Sequence, residues 1–256
     1  MTRPRIIPVL LLKDEGLVKT ILFNKKKAKY IGDPINAVRL FNDLKADELV
    51  FLDIMANKKK SSINLDLVKK IGDEAFMPFA VGGGIKSIDQ VDKILKYGAE
   101  KVVINTSIHE NFNFIKEVVA KYGSQSIVAC IDVKDGFFNK NNVYKNSGIN
   151  KVKIKLDKLL DKINALQVGE IIIQSINNDG LMKGYNLELI SYVSKKAFAP
   201  VIALGGCGQI EHMKEAINIG KANAAAAGSF FVYHGSRNAV LINYPTKEEI
   251  YKNFNL

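Results

Sequence analysis

Gly82-Gly83-Gly84 closes one apolar run of this chain, and Gly205-Gly206-Cys207-Gly208 closes another, with Gly84 and Gly206 122 residues apart. Asp179-Gly180 and Gly228-Ser229 follow two further apolar runs. Glycine lets backbone approach an anion closely, and free N–H groups at the start of a helix hold phosphate. One such cluster says little, because tight turns need glycine anyway. Two at matching places imply two phosphate sites on opposite sides of one mouth. Asp53 and Asp132 end apolar runs of their own, where a carboxylate can serve as general acid or base or cap the following segment. Proton transfer is the expectation for Asp132; Asp53 is expected to support the mouth beside the bound substrate. Lys19 lies after the first run, where a mobile cation would close on a substrate phosphate.

A second set of charges starts the runs instead of ending them. Arg5, Glu48, Lys101 and Glu170 all fall at or just before the first residue of an apolar segment. If those segments line one barrel, the four meet at its floor and must pair with each other, because an isolated buried charge costs several kcal/mol. They form either a plain ion-pair plug or a gate over a central passage.

The elements that would position these residues repeat. Lys13-Asp14 matches Lys134-Asp135, 48–52 matches 170–174, 76–84 matches 198–206 and 102–106 matches 225–229, at offsets of 121 to about 123. That is too long for a solenoid repeat of 20–50 residues and suggests two fused half-domains. Strands are predicted at 6–12, 49–53, 79–81, 101–105, 127–132, 170–175, 201–204 and 224–227, as short continuous apolar runs covered on both faces. Helices are predicted at 34–44, 89–97, 113–122, 156–166, 187–194 and 212–219. Eight strands alternating with helices predict an α/β fold, a (β/α)8 barrel, rather than an open doubly wound sheet. One domain over 1–256 is expected, with half-barrels at about 1–124 and 125–256, and a long loop or hairpin at 136–149. In such barrels the site lies at the C-terminal ends of the strands, where the glycines and both aspartates fall.

The 256 residues carry a formal net charge of +11. Lysine is scattered, so Lys25-Lys26-Lys27 and Lys58-Lys59-Lys60 are read as solvated faces, and no aromatic pattern suggests nucleic-acid binding. A positive field favours anionic substrates. No run of about 18 apolar residues and no signal pattern is present, so a cytoplasmic protein is expected, without membrane contact. Cys130 and Cys207 lack a partner motif and read as buried thiols; no metal and no cofactor are expected.

Arg5-Ile6-Ile7-Pro8, 47–54, Val81-Gly82-Gly83-Gly84-Ile85, Asn105-Thr106 and Asn178-Asp179-Gly180 resemble HisF, the cyclase subunit of imidazole glycerol phosphate synthase. The resemblance runs nearly end to end, and HisF proteins are half-barrel duplications. It implies a glutaminase partner, HisH, docked at the barrel floor, with ammonia passing through the barrel to the top. It implies that Arg5, Glu48, Lys101 and Glu170 match the gate and that Glu100 contacts the glutaminase. Gly84, Asn105, Asp179, Gly180, Gly206, Gly228 and Ser229 fall in its phosphate-binding regions, beside Gly83 and Gly205, and Asp132 matches one of two catalytic aspartates.

The chain departs from HisF at the other aspartate. HisF ends its first strand Cys-Leu-Asp-Val-Lys-Asp-Gly, whereas this chain reads Val9-Leu10-Leu11-Leu12-Lys13-Asp14-Glu15, and Leu11 transfers no proton. Asn177 stands for an Asp and Gln174 for a Thr. The segments 10–20 and 230–245 resemble a HisF-like subgroup associated with surface-polysaccharide or nonulosonate genes, working with a HisH-like glutaminase and an N-acetyl-sugar amidotransferase to make acetamidino sugars. The resemblance implies a synthase subunit that passes ammonia to an acetamido sugar. The alternatives are a histidine-pathway cyclase that has moved its acid–base work elsewhere, and a conduit or scaffold without turnover.

Overall fold

The computed structural model describes residues 3–59, 61–136, 141–235 and 237–254. Lys60 and residues 137–140 of the expected loop lie outside them. Eight parallel strands form the wall: β1 (Arg5–Lys13), β2 (Leu49–Asp53), β3 (Phe79–Gly82), β4 (Lys101–Ile104), β5 (Ile127–Asp135), β6 (Glu170–Ser175), β7 (Val201–Leu204) and β8 (Ala224–Ala227). Each pairs with its neighbours in chain order, and β8 returns to β1 with Ile7 opposite Ala226, so the sheet closes into a (β/α)8 barrel. Closure leaves no open parallel edge in the wall.

Alternation along the strands separates two cores. Ile6, Leu10 and Leu12 of β1, with Leu49 and Phe51 of β2 and Ile171 and Ile173 of β6, pack outward beneath the helices. Ile7, Val9 and Leu11, Val50, Ala80, Val103, Val128 and Cys130, Ile172, Ile202, Leu204, Ala224 and Ala226 fill the axis. The same alternation carries each inward column from floor to mouth, as Arg5–Ile7–Val9–Leu11, Val128–Cys130–Asp132 and Glu170–Ile172–Gln174.

The six predicted helices are present, 156–166 as predicted and the others with at least one end displaced by one or two residues, as Pro34–Asp43, Ile88–Lys96, Phe112–Tyr122, Leu156–Leu166, Leu187–Lys196 and Ile210–Asn218. Local chemistry starts them: Asp33 caps the first above Pro34, and Ser87 with Gln90 forms a capping box. A seventh, Leu65–Glu74, was not predicted, although Asn64 caps it and Leu67, Val68 and Ile71 make its buried stripe. An eighth, Lys247–Phe254, follows the last strand. Among the described residues no helix is long and apolar enough to cross a membrane.

The 122-residue offset recurs in tertiary contacts. Asn42 donates to the Glu74 carbonyl (2.8 Å) and accepts from Phe76 N–H (2.9 Å). Asn164 donates to the Lys196 carbonyl (2.9 Å) and accepts from Phe198 N–H (3.0 Å). Both pin the turn leading into a strand. The expected hairpin after β5 is present in part: Asn141–Lys145 runs antiparallel to β5, with Tyr144 opposite Asp132. An insertion of the same length follows β1, where Gly16–Lys19 folds back with Val18 opposite Leu11.

Candidate active site at the barrel mouth

Two clefts open at the C-terminal ends of the strands. The first, about 640 Å³ with its open mouth, is lined by Asp53, Asn57, Gly83, Gly84, Asn105, Thr106 and Ser107, and reaches Cys130 and Asp132. The second, about 340 Å³, is lined by Lys19, Gln174, Asp179, Gly180, Gly205, Gly206, Gly228 and Ser229. Each ends at a short helix, Thr106–Glu110 or Ser229–Val232, whose first turn has no capping side chain. The second cleft has the parts of the phosphate site common at the seventh and eighth strands of such barrels. Gly83 and Gly84 therefore line the first cleft and Gly180, Gly205, Gly206 and Gly228 the second, whereas Gly82 and Gly208 of the two clusters line neither.

Several also have a backbone reason. Gly84 (φ +65°) and Gly206 (φ +109°) lie so close to the Ser61 and Gly184 carbonyls that a Cβ on either would collide. Gly228 differs: its φ is ordinary, but a Cβ there would strike Lys19 Nζ. The bare backbone of Gly228 makes the room in which that ammonium sits. Lys19 is thus a correction to the sequence reading. It ends a strand rather than a mobile loop, is only 6% exposed, and faces Asp179.

Asp132 lies between the clefts, buried, with the Cys130 thiol donating to Oδ1 at 3.8 Å. Burial pushes its carboxyl up to about 7; the thiol's hydrogen bond and the nearby Lys25 work against burial, while Asp179 adds to it. A proton held at that level suits exchange near neutral pH. Burial also raises Asp179, opposed by Lys19, the Phe23 N–H, Gln174 and Thr20. Among the described residues its Oδ2 has no hydrogen-bond partner, and neither does Asn105 Oδ1. Buried polar atoms left open are expected where a ligand completes them.

Asp53 is tied to the backbone. It accepts from Met55 N–H (2.7 Å) and Ala56 N–H (3.0 Å); burial raises its carboxyl, and those two donors oppose the rise. Its turn-holding role agrees with structural support, and its side chain still lines the first cleft. Asn105 gives Nδ2 to the Cys130 carbonyl at 3.0 Å. Leu11 is inside the barrel top, in register with Val18 and Leu52, and lines the space between the clefts with Thr20, Phe23, Lys25, Ile54, Ser147 and Gln174.

Lys25 is the residue the sequence reading missed, and its assignment to a solvated run is corrected here. Lys26 and Lys27 are exposed, but Lys25 is half-buried and gives its ammonium to the Ile54 carbonyl. The Asn24 side chain accepts from Lys26 N–H and starts a single 3-10 turn over Lys25–Lys27. That turn separates the first lysine from the other two. Three lysines in a row carry no signal of which one turns inward.

At the floor the four charges close into one ring. Arg5 bonds Glu48 (2.6 Å) and Glu170, while Lys101 bonds Glu48 (3.0 Å) and Glu170 (2.9 Å). Burial works against the Arg5 charge, but Glu170 and Glu48 outweigh it and hold the guanidinium above its ordinary range. Between this ring and Asp132 the axis is packed with apolar side chains. Glu100 is exposed at the same end, before β4.

The model of a family described as histidine biosynthesis protein matches residues 5–237. A Leptospira borgpetersenii protein, named provisionally as an imidazole glycerol phosphate synthase subunit HisF, is 44% identical over 246 residues, 96% of each chain. The chain belongs to the HisF family. A Pseudomonas aeruginosa member, with the provisional name imidazole glycerol phosphate synthase subunit hisF2, is 42% identical across 96% of this chain and 97% of its own. The Streptococcus mutans imidazole glycerol phosphate synthase subunit HisF is 38% identical across 91% and 92%. At the mouth of this barrel Asp132 on β5 has leucine, Leu11, at the matching position of β1, and Asp179 is a second buried carboxyl in the other cleft.

Proposed function

We propose that this HisF-family chain is the synthase subunit of a glutamine amidotransferase complex, receiving ammonia at the barrel floor from a HisH-like glutaminase and using it at the mouth. The four-membered charge ring supports a gate: it closes the floor by ion pairs alone, so a docked partner that offers one new charge can part it. The apolar side chains above it, Ile7, Ile172 and Ile202 among smaller Val, Ala and Cys residues, would have to move apart for ammonia to pass. Glu100 would meet the partner. The buried, near-neutral Asp132 would shuttle the proton as ammonia adds, with Lys19, Asn105, the glycines and Ser229 holding anionic groups of the acceptor.

Leu11 carries the choice of acceptor. A mouth with one proton-transfer carboxylate and an apolar group opposite suits a single condensation rather than a cyclisation with several proton transfers. The acceptor we favour is an N-acetyl sugar whose amide becomes an acetamidino group, the amide oxygen being activated by a third protein, an N-acetyl-sugar amidotransferase. Glutamine-dependent formation of an acetamidino sugar by the three purified proteins tests this. No amidine, together with rapid imidazole glycerol phosphate formation from ammonium and the histidine-pathway intermediate, would overturn it.

The second reading, the cyclase subunit of imidazole glycerol phosphate synthase, draws on the two opposed clefts, which suit a substrate with a phosphate at each end. The same assay separates the two. If neither product forms while the glutaminase partner still binds, the chain is a conduit or scaffold.

A further inference from the structure

We propose that Lys25 contacts the acceptor at the reaction centre, donating to an electron-rich oxygen of the substrate from the side of the mouth that Leu11 leaves without a polar acid–base group. This rests on the reading of the mouth as the place where ammonia is used, and it adds a residue that neither glycine cleft contains.

The compartment between the clefts measures about 300 Å³ with its opening. Leu11, Phe23 and Ile54 make its apolar walls, Thr20, Ser147 and Gln174 supply neutral polar groups, and Lys25 is the charged one among its described lining residues. The Lys25 ammonium is satisfied within the protein by the Ile54 carbonyl, which leaves further N–H donors for a ligand, since an ammonium has three. The loop that carries it is anchored across the mouth where Leu22 N–H bonds the Asp179 carbonyl at 3.0 Å, and it turns locally where Asn24 N–H bonds the Ile21 carbonyl at 2.9 Å. Lys25 is therefore held at the centre by the segment that also covers the second cleft.

The charges around it fit such a role. Asp53 from the end of β2 and Asp132 from β5 face Lys25 and favour its charge, while Lys58 after β2 opposes it; burial is the largest influence and lowers its affinity for a proton. Around Asp132 stand Cys130 on β5, Asp179 after β6 and Lys25, and Lys19 faces Asp179 from the other side. A cation in the central compartment and a carboxyl in the adjoining first cleft thus influence each other, the first to bind oxygen and the second to move a proton.

Competitive acetylation with trace acetic anhydride across pH, read lysine by lysine by mass spectrometry on the intact protein, tests the placement without knowledge of the acceptor. Lys25 should lose its proton at lower pH than a free lysine side chain, and Asp132→Asn should move its midpoint lower still. Titration of Lys25 like a free lysine would overturn the proposal. So would indifference of Lys25 to Asp132→Asn in a variant whose thermal unfolding shows it folded. Turnover then reads the role, with ammonium and whichever acceptor is used. Lys25→Met should lower kcat/KM for the acceptor by about 10–100-fold, the value of one charge-assisted contact. KM for ammonium should not change, and Lys25→Arg should recover part of the loss. Full activity of Lys25→Met would refute the contact while leaving the glutaminase-coupled reading intact. If no acceptor turns over, that reading has failed, and the acetylation profile alone decides whether Lys25 belongs to the mouth.

Discussion

Asp132 and Leu11 occupy matching places in the two halves of the barrel, and their chemistry is opposite. Burial lifts Asp132 to about 7, above the roughly 3.9 of an unfolded aspartate. Between these values the folded state holds the proton that the unfolded state has lost, so stability from this group is greatest at low pH and falls as pH rises toward 7. Asp132→Asn removes that dependence. The variant should melt higher than the parent at pH 8, gain little at pH 4, and lose roughly 10²–10⁴-fold in ammonia-dependent turnover. Thermal melts at the two pH values and initial rates check both parts. Leu11→Asp does the reverse. It buries a further carboxyl beside Phe23 and Ile54, where Leu11 is 9% exposed, and should cost about 1–3 kcal/mol in urea unfolding at pH 8, with a smaller loss at pH 5.

The floor ring and the two asparagine pins belong to elements rather than single side chains. Glu48 bonds both cations of the ring, so Glu48→Ala leaves Arg5 and Lys101 to share Glu170. Removing one partner of a buried charge network costs about 3–5 kcal/mol, and the half-exposed Arg5 reduces that to about 2–3 kcal/mol here, measurable by urea titration. Asn42 and Asn164 each make two hydrogen bonds to the turn entering a strand. At about 0.5–1.5 kcal/mol per bond, Asn42→Ala and Asn164→Ala should each cost about 1–3 kcal/mol. They sit in different halves with no shared partner, so the double variant should show the sum within about 0.5 kcal/mol. A clear shortfall from additivity would mean that the two turns are coupled through the barrel.

For the molecule as a whole, the two clefts make a joint prediction. We read residues 1–124 and 125–256 as repeated halves, each supplying the glycines of one anion site, with Lys19 reaching from the first half into the second site. Inorganic phosphate should bind at two sites by calorimetry. Gly228→Ala, which displaces Lys19, should weaken the second site and spare the first. With a net charge of +11, both affinities should fall as salt rises from low to physiological ionic strength, where charges more than about 8–10 Å apart are screened.

Much of this is legible in the sequence alone. The strand runs, the order of elements and the 122-residue offset are local or periodic properties, written in apolar spacing and in glycine. The inward columns follow from strand alternation, so Asp132 at the mouth and Glu48 at the floor could be placed from position alone. Helix Leu65–Glu74 was missed although its Asn64 cap and apolar spacing were present. Lys19 and Lys25 could not be placed, because both depend on how the insertion after β1 folds back over the mouth. That path is set by long-range contacts: Val18 against Leu11, Leu22 against Asp179, and Lys19 against the bare backbone of Gly228. Sequence periodicity reports which face of an element is apolar. It is silent on which of three adjacent lysines meets a carbonyl 29 residues further along the chain, because that pairing exists only after the barrel has closed.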